Sequence, residues 1–167
     1  SNLALSKLRD KHVGDRCIII GNGPSLSKMD LSFLKNEITF GLNRIYLGFE
    51  KFNFTPSYYV TVNPLVIEQS TDEILKIPCP KFLSIHGRQY ISDPSKVIFL
   101  QSRPDWSFST NPTQGLWEGY TVTYVALQLA YYMGFKEVYL IGVDHSFTTK
   151  GEPNQEITSE GDDQNHF

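Results

Sequence analysis

At 167 residues, 40% apolar and 20% charged, the chain is long enough for one domain with a buried core and has the composition of a globular protein. A formal net charge of -3 with no run of Lys or Arg argues against a dedicated nucleic-acid binder, because phosphate backbones are held by clustered cations. No apolar stretch approaches the ~18 residues of a membrane span, and the N-terminus lacks a signal-peptide profile. Cys17 and Cys79 show no metal or redox spacing, so a reducing compartment is expected, with both thiols inert. These features together lead to the expectation of a cytoplasmic protein with no transmembrane segment.

Residues 3 to 12 carry Leu3, Leu5 and Leu8 among basic residues and predict a short amphipathic helix. Gly14-Asp15 breaks it, and Arg16 to Ile20 follows as a short apolar run between turn residues, the pattern of a strand buried on both faces. After Gly21-Asn22-Gly23-Pro24-Ser25, Met29, Leu31 and Leu34 recur at near-helical spacing. Ile38 to Leu42 and Tyr58 to Val62 predict two more strands, ending at Asn43 and Asn63. A helix is expected over Leu65 to Leu75, stopped by Pro78 and Pro80. Lys81 to Ile85 and Val97 to Leu100 read as strands, and residues 101 to 118 as a long loop rich in Ser, Pro, Asn, Thr and Trp. Thr121 to Met133 gives the clearest helix, with Val122, Val125, Ala126, Leu129 and Met133 on one stripe and Gly134 as its stop. Val138 to Val143 is a last buried strand, ending at Asp144-His145, and the polar residues 148 to 167 read as a loop.

Strands alternating with helices imply parallel pairing and right-handed crossovers, so the expected fold is α/β, a Rossmann-like layered sandwich with a mainly parallel sheet. One nucleotide-binding domain over 1–167 is expected, a fragment lacking a C-terminal lid or helices. In such sheets ligands lie beyond the carboxyl ends of the strands. Gly21-Asn22, Asn43, Asn63 and Asp144-His145 all fall at predicted strand ends, on one rim. A glycine turn lets backbone N–H groups approach phosphate oxygens, which makes Gly21, Asn22, Gly23, Pro24 and Ser25 a candidate phosphate cradle. The third glycine of a dinucleotide fingerprint and the lysine of a Walker A loop are absent, so the same turn can equally be a tight strand exit. Asn43 and Asn63 suit ribose hydroxyls, a base edge or a phosphate oxygen without a metal, or else serve as turn formers. Asp144 and His145 could form an acid/base pair, and Asp144 could equally cap the next segment. Glu160, Asp162, Asp163 and His166 cluster without a metal-ligand spacing, so no metal site is assigned. His86 ends another strand near the same rim, His12 reads as surface, and the Trp and Tyr residues from Trp106 to Tyr132 read as core or lid.

Ile19-Ile20-Gly21-Asn22-Gly23-Pro24-Ser25-Leu26 resembles the opening of the bacterial sialyltransferases of glycosyltransferase family 42. Gly41 to Tyr46, Val62-Asn63-Pro64 and Gly134 to Asp144 agree in order, so the resemblance spans residues 16 to 145. The first and last blocks also look like the archaeal-type 6-hydroxymethylpterin diphosphokinases and motility-accessory-factor proteins of the DUF115 superfamily. The resemblance implies a cytidine-monophosphate-sugar donor, with Asn22, Gly23, Asn43 and Asn63 on the nucleotide. Thr121 to Thr123 match a donor-touching Thr-Ser-Gly turn, here Thr121-Val122-Thr123, which lacks the middle hydroxyl and the glycine. It also implies a catalytic histidine in a lid, for which His166 is the neighbouring position and Phe167 replaces a tyrosine.

Three readings stay open at this level. The first is a transferase taking a nucleotide-sugar to a small-molecule or glycan acceptor, with no required cofactor. The second is an ATP-dependent diphosphokinase-like enzyme needing Mg2+. The third is a catalytically silent nucleotide-binding module of a larger polysaccharide or motility protein. A homo-oligomer is compatible with each.

Overall fold

The computed structural model describes residues 2–144. Six strands, β1 (Arg16–Ile20), β2 (Ile38–Leu42), β3 (Tyr58–Thr61), β4 (Lys81–Ser84), β5 (Ile98–Leu100) and β6 (Glu137–Ile141), form one sheet. Every pairing is parallel and the spatial order is β5-β4-β3-β2-β1-β6. The α/β Rossmann-like fold read from the sequence is therefore the one observed.

Alternation along each strand divides the core into two layers. Cys17, Ile19, Phe40, Leu42, Tyr58, Val60, Phe82 and Leu100 face the layer closed by α1 (Asn2–Ser6) and α5 (Val122–Tyr132). Ile18, Ile20, Tyr59, Leu83 and Phe99 face the other layer. That layer is covered by α2 (Phe49–Phe52), α3 (Pro64–Gln69), α4 (Thr71–Lys76) and several 3-10 turns.

Three helical expectations come out differently, and β6, expected to be buried, is an edge strand with Tyr139 49% and Leu140 47% exposed. The first ends at Ser6, not near residue 12, because Asp10 takes a left-handed φ of 53° and the next amides bond elsewhere. The Asp10 and His12 N–H groups donate to Tyr132 O and Met133 O, capping the open carbonyls of α5. His12 is consequently not a surface residue: its Nε2 lies 2.7 Å from Tyr58 Oη and its ring stacks on Phe135. The helix expected over Leu65 to Leu75 is split at Ser70, whose φ of -132° is not helical. Thr71 Oγ1 donates to Ile67 O at 2.7 Å across the break. The apolar spacing of Met29, Leu31 and Leu34 produces 3-10 turns at Pro24–Lys28 and Ser32–Asn36, not an α-helix.

α5 starts at the strand-exit rim and packs over β1, β2 and β3. The 101–121 segment that feeds it is tied down by Gln128, fully buried on α5. Gln128 Nε2 donates to Trp117 O at 2.8 Å, and Gln128 Oε1 accepts from Ser109 N–H at 2.8 Å.

Burial pushes the Cys17 thiol up to about 12 and the Cys79 thiol up to about 11, so neither is a nucleophile near neutral pH. Iodoacetamide at pH 8 should label neither cysteine in the native state and both in denaturant; fast native labelling of Cys17 would contradict this packing. Gln128→Leu strands the Ser109 N–H and the Trp117 carbonyl, and should cost about 2–4 kcal/mol in urea unfolding.

Candidate functional site

The parallel sheet brings the exits of β1 to β5 to one rim, and a cavity opens there. It holds about 570 Å³, within the range of small-molecule sites. Its walls come from the exits of β2 and β3 (Asn43, Asn63), from His86 after β4, from Ser102 and Arg103 after β5, and from the stretch Trp117 to Val122 leading into α5.

Each asparagine is held by its oxygen. Asn43 sits in the left-handed region at φ 47°, which asparagine tolerates better than most residues. Its Oδ1 accepts from Thr61 Oγ1 at 3.1 Å, and its backbone carbonyl accepts from Tyr59 Oη at 2.6 Å. Burial holds the Tyr59 phenol well above its ordinary pKa, so it stays a donor. Asn63 Oδ1 caps α3 by accepting from Leu65 N–H at 2.9 Å. The Nδ2 amide of each residue takes no partner among the described residues, which leaves two donor groups on the β2–β3 side of the cavity.

Glu118 forms the other side. Its Oε1 accepts from Ser84 Oγ at 2.7 Å and from Ser102 Oγ at 2.6 Å. Ser84 ends β4 and Ser102 follows β5, so neighbouring strands grip one carboxylate oxygen. Trp117 lies beside it, stacked on Trp106 with ring centroids 5.4 Å apart and planes at 13°. Tyr120, 88% exposed, meets Trp117 edge-on at 5.9 Å. Arg103 lines the cavity and is hydrogen-bonded to Asp105.

The glycine turn lies next to this cavity and does not line it. Gly21 N–H donates to Ile141 O at 2.9 Å, and Gly23 N–H to Gly142 O at 2.8 Å. Ser25 N–H donates to Asp144 Oδ2 at 2.8 Å and Ser25 Oγ to Asp144 Oδ1 at 2.7 Å. Asp144 thus occupies the position an external anion would take. The glycines are needed for this docking: a Cβ on Gly21 would meet Gly142 O at 2.3 Å, and one on Gly23 would meet Asp144 Oδ2 at 2.3 Å. Pro24 opens a five-residue 3-10 turn, too short to present a helix dipole.

Asn22 links the turn to the cavity. Its Nδ2 donates to Leu42 O at 3.0 Å, one residue before Asn43. That bond fixes the amide orientation and leaves Oδ1 buried with no partner among the described residues. An orphaned buried acceptor calls for a donor such as a ligand hydroxyl or an ordered water.

Of the residues selected from the sequence, Asn43, Asn63 and Thr121 line the cavity, and His86 joins them. Thr121 is the N-cap of α5 and accepts from Thr123 N–H at 3.2 Å; Thr123 itself is outside the lining. His145, His166 and the acidic residues Glu160, Asp162 and Asp163 lie outside the described residues. Sequence reading missed Glu118 and its two serines. No local pattern marks them, since the partners are 34 and 16 residues away.

Asp144→Ala removes both bonds to Ser25 and leaves its backbone N–H without the carboxylate. It should cost about 1–3 kcal/mol in thermal or urea unfolding, and Ser25→Ala, which keeps the backbone bond, should cost less.

A solved structure described as the MAf glycosyltransferase from Magnetospirillum magneticum AMB-1 shares this fold. The match has a TM-score of 0.57 at 17% identity and covers 95% of this chain and 29% of that one. The chain therefore spans under a third of that protein's length. No curated protein matches the sequence. A family model for 6-hydroxymethylpterin diphosphokinase MptE-like proteins matches residues 1–150, nine-tenths of the sequence, and the chain belongs to that MptE-like family.

Proposed function

We infer that the chain is the nucleotide-binding part of a transferase, and that the strand-exit cavity takes a nucleotide-activated donor, in the manner of a cytidine-monophosphate-sugar-dependent glycosyltransferase. The observation that carries this reading is the pair of anchored asparagines. With each side-chain oxygen turned to a protein donor, Asn43 and Asn63 leave their Nδ2 groups, without a partner among the described residues, as N–H donors, which suit the phosphate oxygens of a donor and the charge developing there as the bond to the sugar breaks. Asn22 Oδ1, the buried acceptor next door, suits a ribose hydroxyl. The fold shared with a protein described as a glycosyltransferase supports the same class.

The chemistry would be direct displacement at the anomeric carbon. An acceptor hydroxyl, on a small molecule or a glycan, attacks as a histidine removes its proton, and the nucleotide phosphate leaves. His86 is the imidazole in the lining, while the lid histidine implied by the sialyltransferase resemblance neighbours His166, outside the described residues. Asp144 acts by holding Ser25 and the exit of β1 in place.

The family's name favours a second reading, an ATP-dependent diphosphokinase-like activity with Mg2+. Mg2+ bound with a triphosphate draws on carboxylates. The cavity lining supplies one, Glu118, with Oε1 already committed to two serines, so these residues fit the cation poorly.

CMP or CDP at 100 times its dissociation constant should raise the melting temperature by about 5–10 °C, and the Asn43→Ala, Asn63→Ala double variant should lose most of that rise. Binding of ATP alone, strengthened by Mg2+, would favour the diphosphokinase reading. No shift with any nucleotide would overturn both.

A further inference from the structure

We propose that Glu118 and Trp117 form the base-reading end of the cavity and select a nucleobase carrying an exocyclic amine. The inference rests on the nucleotide reading above and adds to it the chemical class of the base.

The cavity is polarised along the rim. Its β2–β3 side presents amide donors, from Asn43 and Asn63, with Asn22 adjoining. Its β4–β5 side presents the carboxylate of Glu118, the only acidic residue in that lining, together with Arg103, whose guanidinium is hydrogen-bonded to Asp105. From the exit of β2 to that of β4 is two strand spacings, about 10 Å. An extended nucleoside phosphate bridges that length, with its anionic end on the donors and its base at the carboxylate. The reverse orientation would set phosphate against Glu118.

The carboxylate is held for recognition. Two serine hydroxyls converge on Oε1, which fixes the rotamer and fills that oxygen. Oε2 takes no partner among the described residues, and it is absent from their sealed, unpaired side-chain atoms, which comprise Asn22 Oδ1 alone. Lining residue and open oxygen together give one acceptor facing the ligand. A single carboxylate oxygen accepts one N–H, as from cytosine N4 or adenine N6. It repels the carbonyl oxygen that uracil or hypoxanthine carries at the same place. Flat rings complete the site: Trp117 lines the cavity, is braced from outside by Trp106, and has Tyr120 at its edge. A base stacked there exchanges water for an aromatic face.

The test compares bases that differ at that one group. CMP against UMP, and AMP against IMP, are titrated into the full chain and into Glu118→Gln. Binding is followed by calorimetry and by tryptophan fluorescence, which reports this corner because Trp106 and Trp117 are the protein's two tryptophans. One charge-assisted hydrogen bond sets the expectation that the amine-bearing member of a pair binds at least about tenfold tighter, with quenching. Discrimination within the pyrimidine pair identifies cytidine as the source, and within the purine pair adenosine. In Glu118→Gln the carboxamide offers a donor or an acceptor, so the ratio should fall toward one, and Ser102→Ala, which loosens the anchor, should lower it partway.

Nucleotide binding without discrimination in either pair overturns the inference while leaving the nucleotide site standing. So does a ratio that survives in Glu118→Gln. Absence of binding by all four nucleotides overturns the nucleotide reading, and this inference with it.

Discussion

A parallel strand cannot hand the chain directly to its neighbour; the polypeptide must return across a face of the sheet before the next strand begins. Here every pairing is parallel, so every strand exit lies on one rim and every entry on the other. The order adds a second consequence. β6 pairs with β1 on the side away from β2, so the link from β5 must recross the whole sheet. α5, packed over β1, β2 and β3, makes that crossing together with the 101–121 segment that precedes it. Its N-terminus is thereby fixed at the rim, and its last carbonyls are capped at the far side by the Asp10 and His12 amides. The segment between β5 and α5 has to double back over the strand exits, and in doing so it walls the cavity with Arg103, Trp117, Glu118 and Tyr120.

The architecture could be read from the sequence because its signals are local. Arg16 to Ile20 and Tyr58 to Thr61 are short apolar runs, as strands buried on both faces must be, and α5 carries its stripe within one segment. Asn43 and Asn63 were legible for a related reason: a polar residue ending a buried strand has to sit at the rim. What escaped was whatever depends on distant partners. Glu118 looks like a loop residue until β4 and β5 lie side by side and bring Ser84 and Ser102 to it. His12 looks exposed until Tyr58 and Phe135 close around it. The glycine turn misleads in the opposite sense. Its local pattern offers amides to a phosphate, while Asp144, 119 residues from Ser25, already accepts from one of them.

That arrangement gives the turn a mechanical role. Ile141 O, Gly142 O and the Asp144 carboxylate take the N–H groups of Gly21, Gly23 and Ser25 in succession, so the exit of β1 is laced to the exit of β6. The small residues permit an approach that a Cβ would block. The result is a rigid corner against which Asn22 is set, with its amide nitrogen on Leu42 O and its oxygen buried beside the cavity.

Charge then decides where an anionic ligand goes. A phosphate entering the glycine turn would displace Asp144 from Ser25 or lie against it, and two like charges about 4 Å apart near a protein surface repel by about 4 kcal/mol. On the β2–β3 side no such contest arises. Asn43 and Asn63 have their side-chain oxygens turned to Thr61 Oγ1 and Leu65 N–H, and their Nδ2 groups, without a partner among the described residues, are donors for an incoming acceptor. Under the proposed reading the phosphate therefore rests on the two asparagines, with the turn supporting from behind. The base then extends toward Glu118, where the carboxylate oxygen that takes no partner among the described residues favours an N–H over a carbonyl.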